Sequence, residues 1–293
     1  MPEQFEILDV SDWPLESVEP GGSEPNHWLW TPAGGRVLFK PVVARDGRRQ
    51  GEDWAEKIVE QLAGAIGVPA ARIDMAVRDG KSGLVSADLA PEGWELQAGA
   101  VLIGAIDSRL TAKARNRLGH NLTNMHAVLS GLPATAPGMS SFTAYDQVCG
   151  YLMLDAWVAN PDRHEANWGV LQSPEGEVTL AGSFDHGNSL GFNLTEQRYQ
   201  SLLAKPRGVE EWAARGYAVR FEDRRSTPLV DLVSEAFGLA SPGTGSYWKE
   251  RLAAVSEANC ELVISRTPVM SAACRTFCLR LLSINKRRLL DGD

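Results

Sequence analysis

Asn160-Pro161-Asp162-Arg163-His164-Glu165-Ala166-Asn167-Trp168-Gly169, followed by Ser183-Phe184-Asp185-His186-Gly187-Asn188, is the stretch on which the fold turns. Asp162 and Asn167 stand five positions apart, and Asp185 follows an apolar run. Upstream, Tyr145 to Ala159 is strongly apolar: Val148, Leu152, Ala156 and Ala159 share one face, with Tyr151, Leu154 and Val158 nearby. Such a segment reads as a buried helix. Asn160-Pro161 ends it, because a residue before proline avoids helical dihedrals. Trp168–Gln172 and Val178–Phe184 read as two short strands around Ser173-Pro174-Glu175-Gly176-Glu177. The second strand then returns Asp185 to the loop that holds Asp162. Loops anchored on packed elements are where chemistry-bearing side chains are held.

The residue types suit phosphoryl transfer. One carboxylate orients or deprotonates an attacking hydroxyl. An amide oxygen and a second carboxylate grip the metal that neutralises the phosphates. Protein kinases combine an Asp-x4-Asn loop with a later Asp-containing triplet in this way. Asp162 is then the catalytic base or orienting group, and Asn167 and Asp185 are the magnesium ligands. Each of these alone would be ordinary turn chemistry; their joint spacing, with a buried helix before and a hairpin between, carries the assignment. Upstream, Gly21-Gly22-Ser23-Glu24-Pro25-Asn26 is a turn-rich loop, followed by strands at His27–Trp30 and Arg36–Val43. Gly21, Gly22 and Ser23 would let backbone N–H groups approach phosphate, and Lys40 would meet the same phosphates.

These residues resemble the HipA-like kinases, a bacterial branch of the protein-kinase-like superfamily. The resemblance rests on Asn160 to Gly169, on Phe184-Asp185-His186 and on Leu38-Phe39-Lys40-Pro41. It extends to a tail with Met270-Ser271, Phe277 and Asn285-Lys286-Arg287-Arg288-Leu289-Leu290. It covers most of the chain, and the central motif is its specific part. It implies a two-lobed α+β protein-kinase-like fold. Residues 1–100 would form a strand-rich, nucleotide-binding lobe, and 101–293 a larger, mainly helical lobe with the catalytic loop and metal site. It further implies ATP and Mg2+ as cofactors, serine/threonine phosphorylation of a protein, and a toxin–antitoxin setting with an antitoxin-like partner. Arg163 and His164 match the family's loop and join Asp162 and Lys40 in the catalytic set.

Such a kinase needs a helix glutamate to hold its lysine. Glu52 to Ile66 has helical periodicity at Trp54, Ile58, Leu62 and Ile66, with Gly67 as a stop. Alignment with the family favours Glu56, and helical geometry allows Glu52 equally. Only about twenty residues precede the glycine loop. The extra N-terminal subdomain of the family's longest members is therefore expected, if present, on a separate chain. Asp-Arg-His-x-x-Asn is also similar to the loop of phosphatidylinositol kinases, so a small molecule or lipid headgroup is the alternative acceptor. Two other classes remain: a metal-dependent hydrolase using Asp162, His164, Asp185 and His186 with His120 and His126, and a pseudokinase binding module. The hydrolase leaves Lys40, the glycine loop and the Asp-x4-Asn spacing unexplained.

The 293 residues, 44% hydrophobic, suffice for one large or two modest domains. A net charge of −8 argues against nonspecific nucleic-acid binding. No apolar run is long enough to span a bilayer, and the acidic start, Met-Pro-Glu-Gln-Phe-Glu, lacks a signal-peptide core. Cys149, Cys260, Cys274 and Cys278 form no zinc-ribbon pair and fit a reduced, cytoplasmic protein. Further strands are expected at Val68–Val77 and Lys81–Leu89. Val101–Ile106 belongs either to the small lobe or to its connector. Beyond residue 194 the pattern is mostly helical, broken at Pro242-Gly243-Thr244-Gly245.

Overall fold

The computed structural model describes residues 3–19, 24–45, 47–110 and 117–292. Strands β1 (Ile7–Asp9), β2 (Leu15–Glu19), β3 (Asn26–Trp30), β4 (Arg36–Pro41), β5 (Ala44–Arg45) and β6 (Arg48–Arg49) precede helix α1 (Glu52–Ile66). Then come β7 (Ile73–Arg78), β8 (Lys81–Ala87), β9 (Glu95–Ala98), α2 (Gly99–Ile106), α3 (Leu122–Leu129), α4 (Ala144–Val158), β10 (Gly169–Gln172) and β11 (Val178–Leu180). The remainder is helical: α5 (Glu196–Ala204), α6 (Gly208–Ala213), α7 (Leu229–Leu239), α8 (Thr244–Ala254), α9 (Glu257–Arg266) and α10 (Ala272–Asp291).

The first sheet has the order β1-β7-β8-β4-β3-β2, antiparallel except for the β1–β7 pair. Register sorts its two faces. Trp28 pairs with Leu38, Leu38 with Ser86 and Lys40 with Leu84, so these side chains share one face. Leu29, Val37, Phe39 and Val85 lie on the other, where with Val10 and Ala76 they form a small core. Sequence patterning missed β1 and β2, which are short and mostly exposed. It also ran the strand expected at Val68–Val77 too far upstream: pairing begins at Ile73, and Ala70 makes only an isolated bridge to Ser183.

Helix α1 ends where Gly67 takes a left-handed φ of 75° and returns its N–H to Ala63 and Gly64. Its apolar residues join the large core built around α4, and it packs on α8 and α9 as well as β7. Every residue of α4 is buried. Its polar members are all bonded: Asp146 accepts from Thr143, Ser241 and Thr244, Gln147 Oε1 accepts from the Thr135 and Ala136 backbones, and Asp155 accepts from Asn160 and Arg163. A helix apolar on all sides is stable only when wholly enclosed, and here it is the axis of the helical region.

The connector between sheet and helices is itself paired. β9 runs antiparallel to β10, which leaves the Asp162 loop, and β10 continues to β11. Val101–Ile106 lies in α2, whose first backbone amides donate to Trp168 O (2.8 Å) and Glu165 O (2.7 Å). Gly99 opens α2 because the Trp168 ring occupies the space a Cβ would need, only 2.2 Å away. No helix among the described residues is long and apolar enough to cross a membrane.

Candidate active site

Helix α4 stops at Val158, and Ala159 turns the chain with a left-handed φ of 54°. Asn160 then bonds backward and forward: its N–H donates to Asp155 O, its Nδ2 donates to Asp155 Oδ1 at 2.8 Å, and its Oδ1 accepts from Asp162 N. Arg163 is buried and fully used. Nε and Nη2 grip the two oxygens of Asp155 at 2.7 and 2.8 Å; Nη1 donates to Asn167 O at 2.6 Å and Nη2 to Ser183 Oγ at 3.0 Å. A bidentate, planar guanidinium thus ties α4, the loop and the Asp185 segment together. Its donors face protein, so its place in the site is to position the loop.

The loop presents Asp162, His164 and Asn167. Asp162 Oδ2 accepts from Asn188 Nδ2 at 2.5 Å, and Oδ1 accepts from Arg220 Nε at 2.5 Å. Asn167 Nδ2 donates to Asp162 O at 3.0 Å, and no donor among the described residues reaches Asn167 Oδ1. His164 Nδ1 accepts from Ala166 N, and burial pushes its pKa down despite the Asp162, Glu165 and Asp185 charges. Asp185 takes φ 61°, strained for a residue with a Cβ. Phe184 beside it packs on Ala71, Ile73 and Leu84 beneath the sheet.

Lys40 and Asp185, 145 positions apart, meet at 2.9 Å. Lys40 Nζ also stands 3.8 Å from Glu56 Oε1. Burial alone would lower the Lys40 pKa, but Asp185 and Glu56 together hold it above its ordinary value. In return Lys40 draws the Asp185 carboxyl down to about 2. Glu56, not Glu52, faces the lysine. Glu52 lies against Gly187, and burial pushes its carboxyl up.

A chain of polar side chains, buried from Asp155 as far as Glu56, joins the two halves of the site. Arg163 donates to Ser183 Oγ, and Ser183 Oγ lies 2.8 Å from His186 Nε2. The polarity that satisfies each member has the serine donating to Nε2, which leaves a proton on His186 Nδ1, 3.6 Å from Glu56 Oε2. That glutamate oxygen has no hydrogen-bond donor of its own. The order is therefore Asp155, Arg163, Ser183, His186, Glu56, Lys40, Asp185.

The proposed phosphate-capping residues Gly21, Gly22 and Ser23 lie outside the described residues, between β2 and β3. Sequence reasoning missed Asp155, Asn188 and Arg220. Asp155 left a signal: a carboxylate inside an all-apolar helix needs a buried partner. Arg220 left none. Of the histidines proposed as hydrolase ligands, two are committed elsewhere: His120 Nδ1 to Arg220 O and Nε2 to Trp168 Nε1, and His186 Nε2 to Ser183, while His126 packs edge-on against Tyr145. The described residues contain no cluster of three or more His, Cys, Asp or Glu able to hold a metal.

No protein-family model matches the chain, and no curated protein matches it. Solved structures do. The chain is similar to the Helicobacter pylori proinflammatory kinase CtkA at 15% identity, with a TM-score of 0.73 over 98% of this chain and 96% of that one. It is similar to HipA from the Shewanella oneidensis MR-1 toxin–antitoxin complex with HipB and operator DNA at 12% identity, with a TM-score of 0.55 over 99% of this chain and 68% of that one. At such identities the likeness shows the fold: α+β and kinase-like, with a strand-rich N-terminal sheet and a mostly helical C-terminal region.

Proposed function

We propose that this chain is a Mg-ATP-dependent phosphotransferase of the HipA-like type that acts on serine or threonine hydroxyls of a protein. The observation that supports it most is the meeting of Lys40, Glu56 and Asp185 from three separate elements, on the same fold that carries the Asp162–Asn167 loop. Ion pairing alone gives little reason to place a half-buried lysine against two carboxylates, one of them, Glu56, wholly buried. A cleft that must hold phosphates and a divalent cation supplies that reason.

The side chains fit Mg-ATP. Asn167 spends its amide nitrogen on the loop and keeps its oxygen, a hard ligand, without a donor among the described residues. Asp185 Oδ1 is on Lys40, and no donor among the described residues reaches its Oδ2. Asn167 and Asp185 would hold the metal, and Lys40 the α/β-phosphates, with Glu56 behind it. Leu38 and Trp28, on the Lys40 face of the sheet, would give the base an apolar ceiling. When bound, Mg-ATP supplies the phosphoryl group, and the metal neutralises its charge. Asp162 orients the acceptor hydroxyl and takes its proton, as the hydroxyl oxygen bonds to phosphorus and the bond to ADP breaks with its electron pair.

Intact-mass measurement after incubation with Mg-ATP and candidate proteins tests this. The expected result is a phosphoryl gain on an acceptor protein or on the chain itself, absent with Asp162→Asn. Transfer only to soluble metabolites or lipid headgroups would move the acceptor to the class shared with the phosphatidylinositol-kinase loop. No Mg-ATP binding at all would overturn the assignment.

A further inference from the structure

We propose that Arg220 is a further catalytic residue: the cation that binds the transferring phosphoryl group, brought to the acceptor end of the cleft by the segment between α6 and α7. This rests on the phosphotransferase function proposed above. Phosphoryl transfer next to a carboxylate base has an electrostatic difficulty. Asp162 repels the charge on the phosphoryl oxygens, so a cation must sit between them. The loop does not supply one. Arg163 is buried on Asp155, Lys40 is on Asp185, and Arg117 is on Glu165.

Arg220 is placed where that charge is missing. Its Nε donates to Asp162 Oδ1 at 2.5 Å, and Nη2 stands against the same oxygen. The side chain is 35% exposed, against 13% for Asp162. A guanidinium has five N–H groups, and Nη1 bonds to none of the described residues. Asp162 does not have to release Arg220 to work. Among the described residues Oδ2 accepts only from Asn188, and a carboxylate oxygen has a second lone pair for the acceptor hydroxyl.

The segment is built to hold this arginine. The Arg220 carbonyl accepts from His120 Nδ1 at 2.7 Å, and His120 Nε2 accepts from Trp168 Nε1 at 3.2 Å. This buried, neutral histidine therefore fixes the Arg220 backbone to the residue after Asn167. Phe221 packs tilted against the same ring, with centroids 4.5 Å apart, and Glu222 N donates to His120 O at 2.7 Å. An ion pair that only closed a surface segment would not need a buried clamp on its backbone.

The test compares the full-length chain with Arg220→Ala and Arg220→Lys, each first checked for an unchanged melting temperature. Calorimetry would measure Mg-ADP binding with and without aluminium fluoride, a mimic of the phosphoryl group in flight. The expected result is tighter binding with fluoride for the parent chain. Arg220→Ala should keep its Mg-ADP affinity and lose the fluoride gain, and Arg220→Lys should recover part of it. Transfer to acceptors and slow hydrolysis of ATP by water should both fall about 10²–10³-fold in Arg220→Ala. Unchanged fluoride response and rates would reduce Arg220 to a structural ion pair. Faster rates would make it a plug, and slowing confined to acidic acceptors would make it an acceptor-binding residue; either overturns the proposal. If the parent chain transferred phosphate while Arg220→Ala matched it, only this inference would fall. If the parent chain bound no Mg-ADP, the phosphotransferase function would fall with it.

Discussion

The two ends of the cleft are built differently. At the loop end, Arg163 makes five bonds in a buried, closed network, and each oxygen of Asp155 has a donor. At the lysine end, Lys40 reaches Glu56 only at 3.8 Å, and Glu56 Oε2 is buried without a donor. The first arrangement is complete without a ligand. The second keeps unsatisfied charge, as a site would if a cation and phosphates were to complete it. Under the proposed function, the contrast assigns rigidity to the groups that would aim the acceptor and residual electrostatic demand to the groups that would hold the nucleotide.

The largest expected effect tests whether the loop end is separable from the fold. Asp162→Asn should lower phosphotransfer about 10²–10⁴-fold with little change in melting temperature, because it removes proton acceptance while its one amide oxygen still accepts from Arg220 or Asn188, and Asp162 lies outside the cores that hold the fold. Unchanged turnover would remove Asp162 from the chemistry. Next comes Arg163→Met, which leaves Asp155 buried with a single side-chain partner. It should cost about 3–5 kcal/mol in denaturant unfolding, and a loss below 1 kcal/mol would mean that the network is not the loop's support.

A smaller effect should appear with pH. Burial lowers His120 from 6.5 to about 4, against the raising influence of the Arg220 carbonyl and Glu165 and together with His164 and Arg117. The unfolded chain therefore binds more protons in that window. The stability His120 provides is present above pH 6.5 and is lost as pH falls toward 4, on the order of 1–2 kcal/mol by pH 5. Denaturant midpoints at pH 7 and 5 would show it, and His120→Gln should flatten the difference. Smallest in stability is Glu56→Gln. Because Lys40 keeps Asp185 and the buried carboxylate removed is only partly satisfied, unfolding free energy should change by no more than about 1 kcal/mol, while affinity for Mg-ATP analogues falls several-fold. A large destabilisation there would erase the contrast between the two ends.

Much of this was legible in the sequence because it depends on local rules. The apolar run before Asn160 reads as an enclosed helix, Asn-Pro ends it, and a hairpin follows, so the spacing and the kinase-like motif together singled out Asp162, Asn167 and Asp185. The Trp54, Ile58, Leu62, Ile66 repeat gave α1 and its two candidate glutamates. The short, exposed β1 and β2 carried no alternation to read, and Arg220 sits in an irregular segment with no periodicity.

By itself, then, the sequence determined the candidate residues and the elements that carry them, since helix period, proline restriction and loop length act over a few residues. Tertiary structure decided which of them meet. It chose Glu56 over Glu52 by the rotation of α1 against β4. It committed Arg163 to a buried carboxylate one turn before the loop, and brought Arg220 to Asp162 across 58 positions. Those choices depend on how helices and sheet pack around α4, and packing partners distant in the chain leave no periodic trace in it.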